Sequence, residues 1–201
     1  MSLFNRREKP VIKTMGKTER FFKRLPFTTF FDPEFIGNKL DKKLIENVKN
    51  KDIEAIKSSI LIGADVNAKD ENGKTSLMIA CEKSNYELAE LFLKEYAKID
   101  LKDNLGRTAL HYACVQSNLR IVSLILNKEE GTRKYRKRIN RKDKEGNTPL
   151  ILATKYNHYY IVNYLLEKKA NKLITNKEGK DAFFMAKNNE NANLMVLLRK
   201  F

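Results

Sequence analysis

Three stretches of this chain are copies of one another, and that self-similarity limits the folds open to it more than any other feature. Asp70–Cys81, Asp103–Cys114 and Asp143–Thr154 carry Asp, Gly, Thr, Leu and Ala at the same steps. Gly73, Gly106, Gly146 and Gly179 are separated by 33, 40 and 33 residues, so the middle interval is the period plus an insertion of seven. A weaker copy runs from Asn176 to Phe201, with Gly179, Phe183 and Ala186 in register. A headless copy lies upstream and ends at Gly63–Asp70, with helices expected at about Lys39–Val48 and Ile53–Leu61.

Each recurring residue has a physical task. The glycine of the D-x-x-G step supplies a positive φ in a tight turn. Thr75, Thr108 and Thr148 stand where a hydroxyl can cap a helix, and Pro149 fits the first helical position. Ala80, Ala113, Ala153 and Ala186 let helices approach, while Leu77, Leu110 and Leu150 fill the space between them. Leu88–Leu93, Ile121–Leu126 and Ile161–Leu166 carry an apolar stripe at helical spacing. One such unit cannot bury its own apolar face, so stability requires a stack.

The Thr75-Ser76-Leu77, Thr108-Ala109-Leu110-His111 and Thr148-Pro149-Leu150 boxes, with the Gly63-Ala64-Asp65-Val66-Asn67-Ala68-Lys69-Asp70 ending, resemble the ankyrin repeat over roughly residues 39–201. The resemblance implies an all-α solenoid of about five stacked helix-turn-helix units with hairpin loops. Its repeats fall at about 39–69, 70–102, 103–142 with the insertion, 143–175 and 176–201. Residues 1–38 form a basic, Phe-rich extension, expected to be partly disordered.

The resemblance also implies a non-catalytic protein, a scaffold or adaptor, that binds another protein through its hairpin tips and the exposed side of each first helix. Carried over by position, the contact residues are Asn72 and Lys74, Leu105 and Arg107, and Asn147 on the tips, with Lys83, Val115, Gln116, Lys155 and Tyr156 on the helices. Leu105, Val115 and Tyr156 break the polar expectation for solvent-facing positions. With Arg107, Lys83 and Lys155 around them they have the composition of an interface core and charged rim. Isolated exposed apolar residues are also common and by themselves require no explanation.

Charge raises a second possibility. The net charge is +15 and the pI about 9.7, which favours an acidic protein, nucleic acid or an anionic membrane surface as partner. The Lys-, Asn- and Ile-rich composition of AT-rich coding also accounts for part of it. The insertion is the densest cluster: seven of the ten residues from Arg133 to Lys142 are basic, including Arg133, Lys134, Arg136, Lys137 and Arg138. It reads either as a loop that grips phosphates or an acidic segment, or as a solvated flexible loop. Residues 1–24 carry eight more Lys and Arg, and six of the eleven Phe follow between positions 21 and 35. These suit an anionic surface or a partner's groove; alternatively Phe27–Phe35 fold back over the first repeat. Salt separates the alternatives, because phosphate binding weakens steeply with ionic strength.

No constellation points to catalysis, a cofactor or a metal. His111 and His158 occupy positions expected to serve hydrogen bonding. Cys81 and Cys114, one repeat apart and so about 10 Å from each other, are too distant for a disulfide and read as buried small residues. Phosphate-loop, dinucleotide and nucleophile-elbow motifs are absent. The apolar runs are too short for a signal h-region or a membrane span, so a monomer in a reducing, cytoplasmic setting is expected, with nuclear import or delivery into a host cell left open.

Overall fold

The computed structural model describes residues 33–127 and 133–201. Expectations for the N-terminal segment 1–32, most of the phenylalanine cluster included, and for residues 128–132 of the insertion lie outside the described residues. Among the described residues ten helices form five pairs: α1 (Pro33–Asn50) with α2 (Ile53–Leu61), α3 (Ser76–Glu82) with α4 (Tyr86–Lys94), α5 (Ala109–Val115) with α6 (Leu119–Asn127), α8 (Pro149–Lys155) with α9 (Tyr159–Glu167), and α10 (Ala182–Asn188) with α11 (Ala192–Lys200). An eleventh helix, α7 (Arg133–Ile139), stands outside the pairs. The expected all-α stack of five units is therefore the observed architecture, and the described residues contain no strand beyond an isolated bridge between Lys69 and Thr75.

Helix α1 spans Pro33–Asn50 and so crosses residue 38. The insertion is not a loop throughout, because α7 occupies it.

The helix starts follow the local chemistry. Thr75 and Thr148 hydroxyls accept the Met78 and Ile151 amides at 3.4 and 3.3 Å. Asn85, Asn118 and Asn191 do the same for Leu88, Ile121 and Leu194, at the starts of second helices. Thr108 caps α5 as the first member of a reciprocal capping box with His111. Its hydroxyl lies 2.9 Å from His111 Nδ1, and its own backbone N–H donates to that nitrogen at 3.1 Å.

First helices stack on one another more closely than second helices do. Ala80, Ala113, Ala153 and Ala186 line that contact with no exposed surface, joined by Cys81, Cys114 and Thr154. Small residues on one row and Leu, Ile and Phe on the other make the row of first helices the inner, concave side. A single apolar core runs from Leu44 to Leu198.

The aspartate of D-x-x-G builds each turn. Asp70 Oδ1 accepts the Asn72 and Lys74 amides, Asp103 those of Leu105 and Arg107, and Asp143 those of Glu145 and Asn147; Asn176 repeats the pattern with Glu178 and Lys180. The turns then bond to each other. Asn104 N–H donates to Asn72 O, Lys144 N–H to Leu105 O and Lys177 N–H to Glu145 O. A second ladder runs beside them: Lys69 Nζ donates to Lys102 O at 2.7 Å, Lys102 Nζ to Lys142 O at 2.9 Å, and Lys142 Nζ to Thr175 O at 2.7 Å.

Candidate partner-binding surface

Two rows of side chains border the concave face, one at each end of the first helices. The tip row holds Asn72 and Leu105, both exposed, with Leu105 55% accessible. The opposite row consists of the residues that close the first helices: Lys83, Gln116 and Tyr156 cap α3, α5 and α8 at their C-termini, and all three are exposed. Lys155 precedes Tyr156, is exposed, and holds its ammonium 6.0 Å from the ring centroid. The Tyr156 ring stacks on His158 at 6.2 Å, and His158 Nε2 lies 2.8 Å from Val115 O in the neighbouring repeat. Val115, Tyr156 and His158 thus form one local group spanning two repeats.

Leu105 does not belong to that group. The seven residues of a first helix, about 10 Å of rise, separate the tip row from the C-terminal row. The single apolar centre expected from the sequence is two separate spots, and Val115 is only half exposed.

Between the rows the expected tip residues are already engaged. Lys74 Nζ pairs with Glu82 at 2.7 Å and lies 5.0 Å above the Tyr112 ring of the next repeat. The Tyr112 hydroxyl donates to Asp103 Oδ2, and burial together with that carboxylate raises its pKa well above the usual phenol value. Arg107 is half-buried, its Nε 3.7 Å from Asp143. Asn147 is a correction: it is buried, its side chain donating to Asp143 and accepting from Asn176 Nδ2, so it faces the stack rather than a partner.

The basic insertion divides in the same way. Arg136 and Lys137 are exposed on α7, while Arg138 is buried and its guanidinium meets Asp100 through Nε at 3.1 Å and Nη2 at 3.0 Å. Tyr135 and Ile139 are buried beside it, and the Tyr135 hydroxyl donates to Lys168 O. Arg138 is therefore an anchor of the fold and not a free cation for a ligand. Arg133 and Lys134 open the helix, and their side chains fall outside the described residues.

The groups with chemical potential serve the scaffold. His111 Nδ1 accepts the Thr108 N–H, which places the ring proton on Nε2, 3.3 Å from Asn147 O. Burial holds its pKa down to about 4 from the usual 6.5, so the ring is neutral. Cys81 and Cys114 are free and buried, and desolvation pushes both thiols far up, away from the reactive thiolate. Among the described residues no cluster of three metal-ligating groups is present and no helix is long and apolar enough to cross a membrane.

The two ladders, and the part the recurring aspartates play in accepting the turn amides, do not emerge from the sequence reading, although the lysine ladder has a signal there: each turn aspartate follows a lysine, as Lys69-Asp70, Lys102-Asp103 and Lys142-Asp143. Comparison with protein families agrees with this geometry. Residues 44–138, 118–176 and 133–200 match the family described as "Ankyrin repeats (3 copies)". A comparison with curated proteins gives no match.

Proposed function

The chain belongs to the ankyrin-repeat family, and on that premise we propose that it is a non-catalytic scaffold or adaptor that binds another protein through its concave side. Ankyrin repeats are generally protein–protein interaction modules, and the family is typically non-catalytic. The observation that carries the reading is the row at the C-terminal ends of the first helices. It is polar at Lys83 and Gln116 and then turns aromatic at Tyr156, a ring 46% exposed with Lys155 above it. An exposed tyrosine fixed by a stacked neighbour and edged by cations has the make-up of an interface anchor, because a ring with little rotamer freedom loses little entropy on binding. Leu105 supplies a second, separate contact at the tips. The flanking Lys83 and Lys155 favour an acidic segment in the partner.

The chain is read as acting as a monomer in a reducing compartment, the cytoplasm first, where two buried thiols stay reduced. The test is affinity capture with the wild-type chain and with Tyr156→Ala, at low and high salt. Loss of the captured protein in the variant, with little loss from salt alone, supports the reading. Equal capture by both proteins overturns the placement of the site.

A further inference from the structure

The edge of the stack where the second helices pass into the hairpins carries a row of fixed cations that form no ion pair among the described residues. Lys69, Lys102 and Lys142 are exposed, yet each ammonium is held by a backbone carbonyl one repeat further on. A carbonyl orients an ammonium without neutralising it. The three charges are therefore positioned as a carboxylate would position them, but keep their full sign. Neighbouring repeats set them about 10 Å apart, close to the Debye length of about 10 Å at 0.1 M salt, so their potentials add.

Helix α7 leads into this row. It ends at Ile139, three residues before Lys142, and its register is set by the buried side chains Tyr135, Arg138 and Ile139. The carboxylate that meets α7 among the described residues, Asp100, is taken by Arg138 and approached by Arg141. Arg136 and Lys137 remain on the outer face, with no ion-pair partner among the described residues. Of the described side chains of α7, Tyr135, Arg138 and Ile139 turn in, while Arg136 and Lys137 turn out.

From this juxtaposition we infer that the lysine row Lys69–Lys102–Lys142 and the outer face of α7 form a docking surface for the phosphate backbone of double-stranded nucleic acid. Three physical points select that partner. Membrane insertion needs apolar side chains at the surface, and the apolar residues described on α7 are buried. A protein interface of high affinity needs an aromatic or apolar centre; the described residues of α7 expose none, since Tyr135 and Ile139 are buried, and without an exposed ring on α7 single-strand base stacking has no platform there. A duplex carries one negative charge per about 1.7 Å of axis, so cations spaced by a repeat meet phosphates in any sequence and any register. An acidic peptide would need carboxylates at matching intervals.

The experiment uses the full chain and a labelled mixed-sequence DNA duplex, with binding followed by fluorescence anisotropy between about 50 and 200 mM salt. Four or so phosphate contacts give a slope of about −4 in log K against log salt, roughly a hundredfold loss of affinity across that range. Replacing both exposed cations, Arg136→Gln with Lys137→Gln, lowers the slope by about 2 and weakens binding at least tenfold at about 0.1 M salt. The charge-preserving pair Arg136→Lys with Lys137→Arg restores it, which separates charge from any change in folding. Tyr156→Ala leaves duplex binding unchanged, so this surface and the concave one fail or stand independently. The inference is overturned if the glutamine pair binds like wild type, which would assign the affinity to the basic N-terminal segment present in every protein tested. It is also overturned if the duplex does not bind at about 50 mM salt, or if phosphatidylserine vesicles bind in place of the duplex with the same dependence on Arg136 and Lys137.

Discussion

Four turn glycines share nearly one backbone conformation but not one environment, which makes them a controlled test of how the stack is held together. Gly106 has φ 74° and Gly179 φ 75°, and each sits in the same aspartate- or asparagine-organised turn. A Cβ on Gly106 would stand 2.8 Å from the Lys144 backbone nitrogen and 3.3 Å from the Asp143 carbonyl carbon, whereas a Cβ on Gly179 would meet nothing within 4 Å. Replacing Gly179 by alanine therefore costs the left-handed conformation alone, about 1–2 kcal/mol. Replacing Gly106 costs that plus the overlap with the next turn, whose nearest atom is backbone, with Lys144 Cγ 3.2 Å away. Pushing the turns apart adds a typical overpacking cost of about 1–3 kcal/mol and weakens the Lys144-to-Leu105 bond, worth about 1 kcal/mol net. The expected gap between the two variants is about 2–3 kcal/mol. In urea unfolding followed by circular dichroism, with a slope of about 2–3 kcal/mol per molar, that gap is a midpoint difference of about 1 M. Gly146→Ala should fall with Gly106→Ala, because it meets Lys177 N at 2.8 Å. If Gly179→Ala is as damaging as Gly106→Ala, backbone conformation alone sets the cost, and the contact between turns contributes nothing measurable.

Three further outcomes follow from single residues. His111 charges less readily in the fold than in the unfolded chain, so its contribution is fully present above pH 6.5 and is withdrawn as the pH falls toward 4; the loss is of order 3 kcal/mol, and His111→Gln should flatten the difference between urea midpoints at acid and neutral pH. Ser76 Oγ is buried with no hydrogen-bond partner, and alanine already fills the equivalent positions 109 and 182, so Ser76→Ala should raise stability by about 1 kcal/mol, seen as a Tm increase of about 2–4 °C. Tyr96 adopts φ 62° with its ring 73% exposed, at the position where the first repeat has Gly63; Tyr96→Gly should stabilise by about 1 kcal/mol, and an unchanged or lower Tm would show that the ring's contacts outweigh the backbone strain.

What could be read from the sequence tracks what repeats. Helix pairs, turn glycines and small inner residues were legible because each occurs several times, and every copy reports the same environment. Helix α7 occurs once. Its buried positions 135, 138 and 139 have helical spacing, but Arg138 at the centre hides the apolar stripe, and its partner Asp100 lies 38 residues upstream. Position also misled where neighbours differ. Lys74, Arg107 and Asn147 are equivalent in register, yet Asn147 alone is folded in, because Asp143 and Asn176 both reach its side chain. The separation of Leu105 from Tyr156 is set by the length of one helix, a distance that a list of equivalent positions does not contain. The group of Val115, Tyr156 and His158 depends on a bond across 43 residues, which pairing by repeat number alone does not predict.

The lysine ladder crosses the insertion as it crosses the ordinary interval: Lys102 reaches Lys142 over 40 residues much as Lys69 reaches Lys102 over 33. Its rungs measure distance in space and take no account of chain length. The stack can therefore host extra sequence at its outer edge with no phase error passed on to the units that follow. Support and novelty occupy different coordinates of the same chain. A lineage of such proteins could try out, enlarge or discard a helix like α7 while every later turn stays in step.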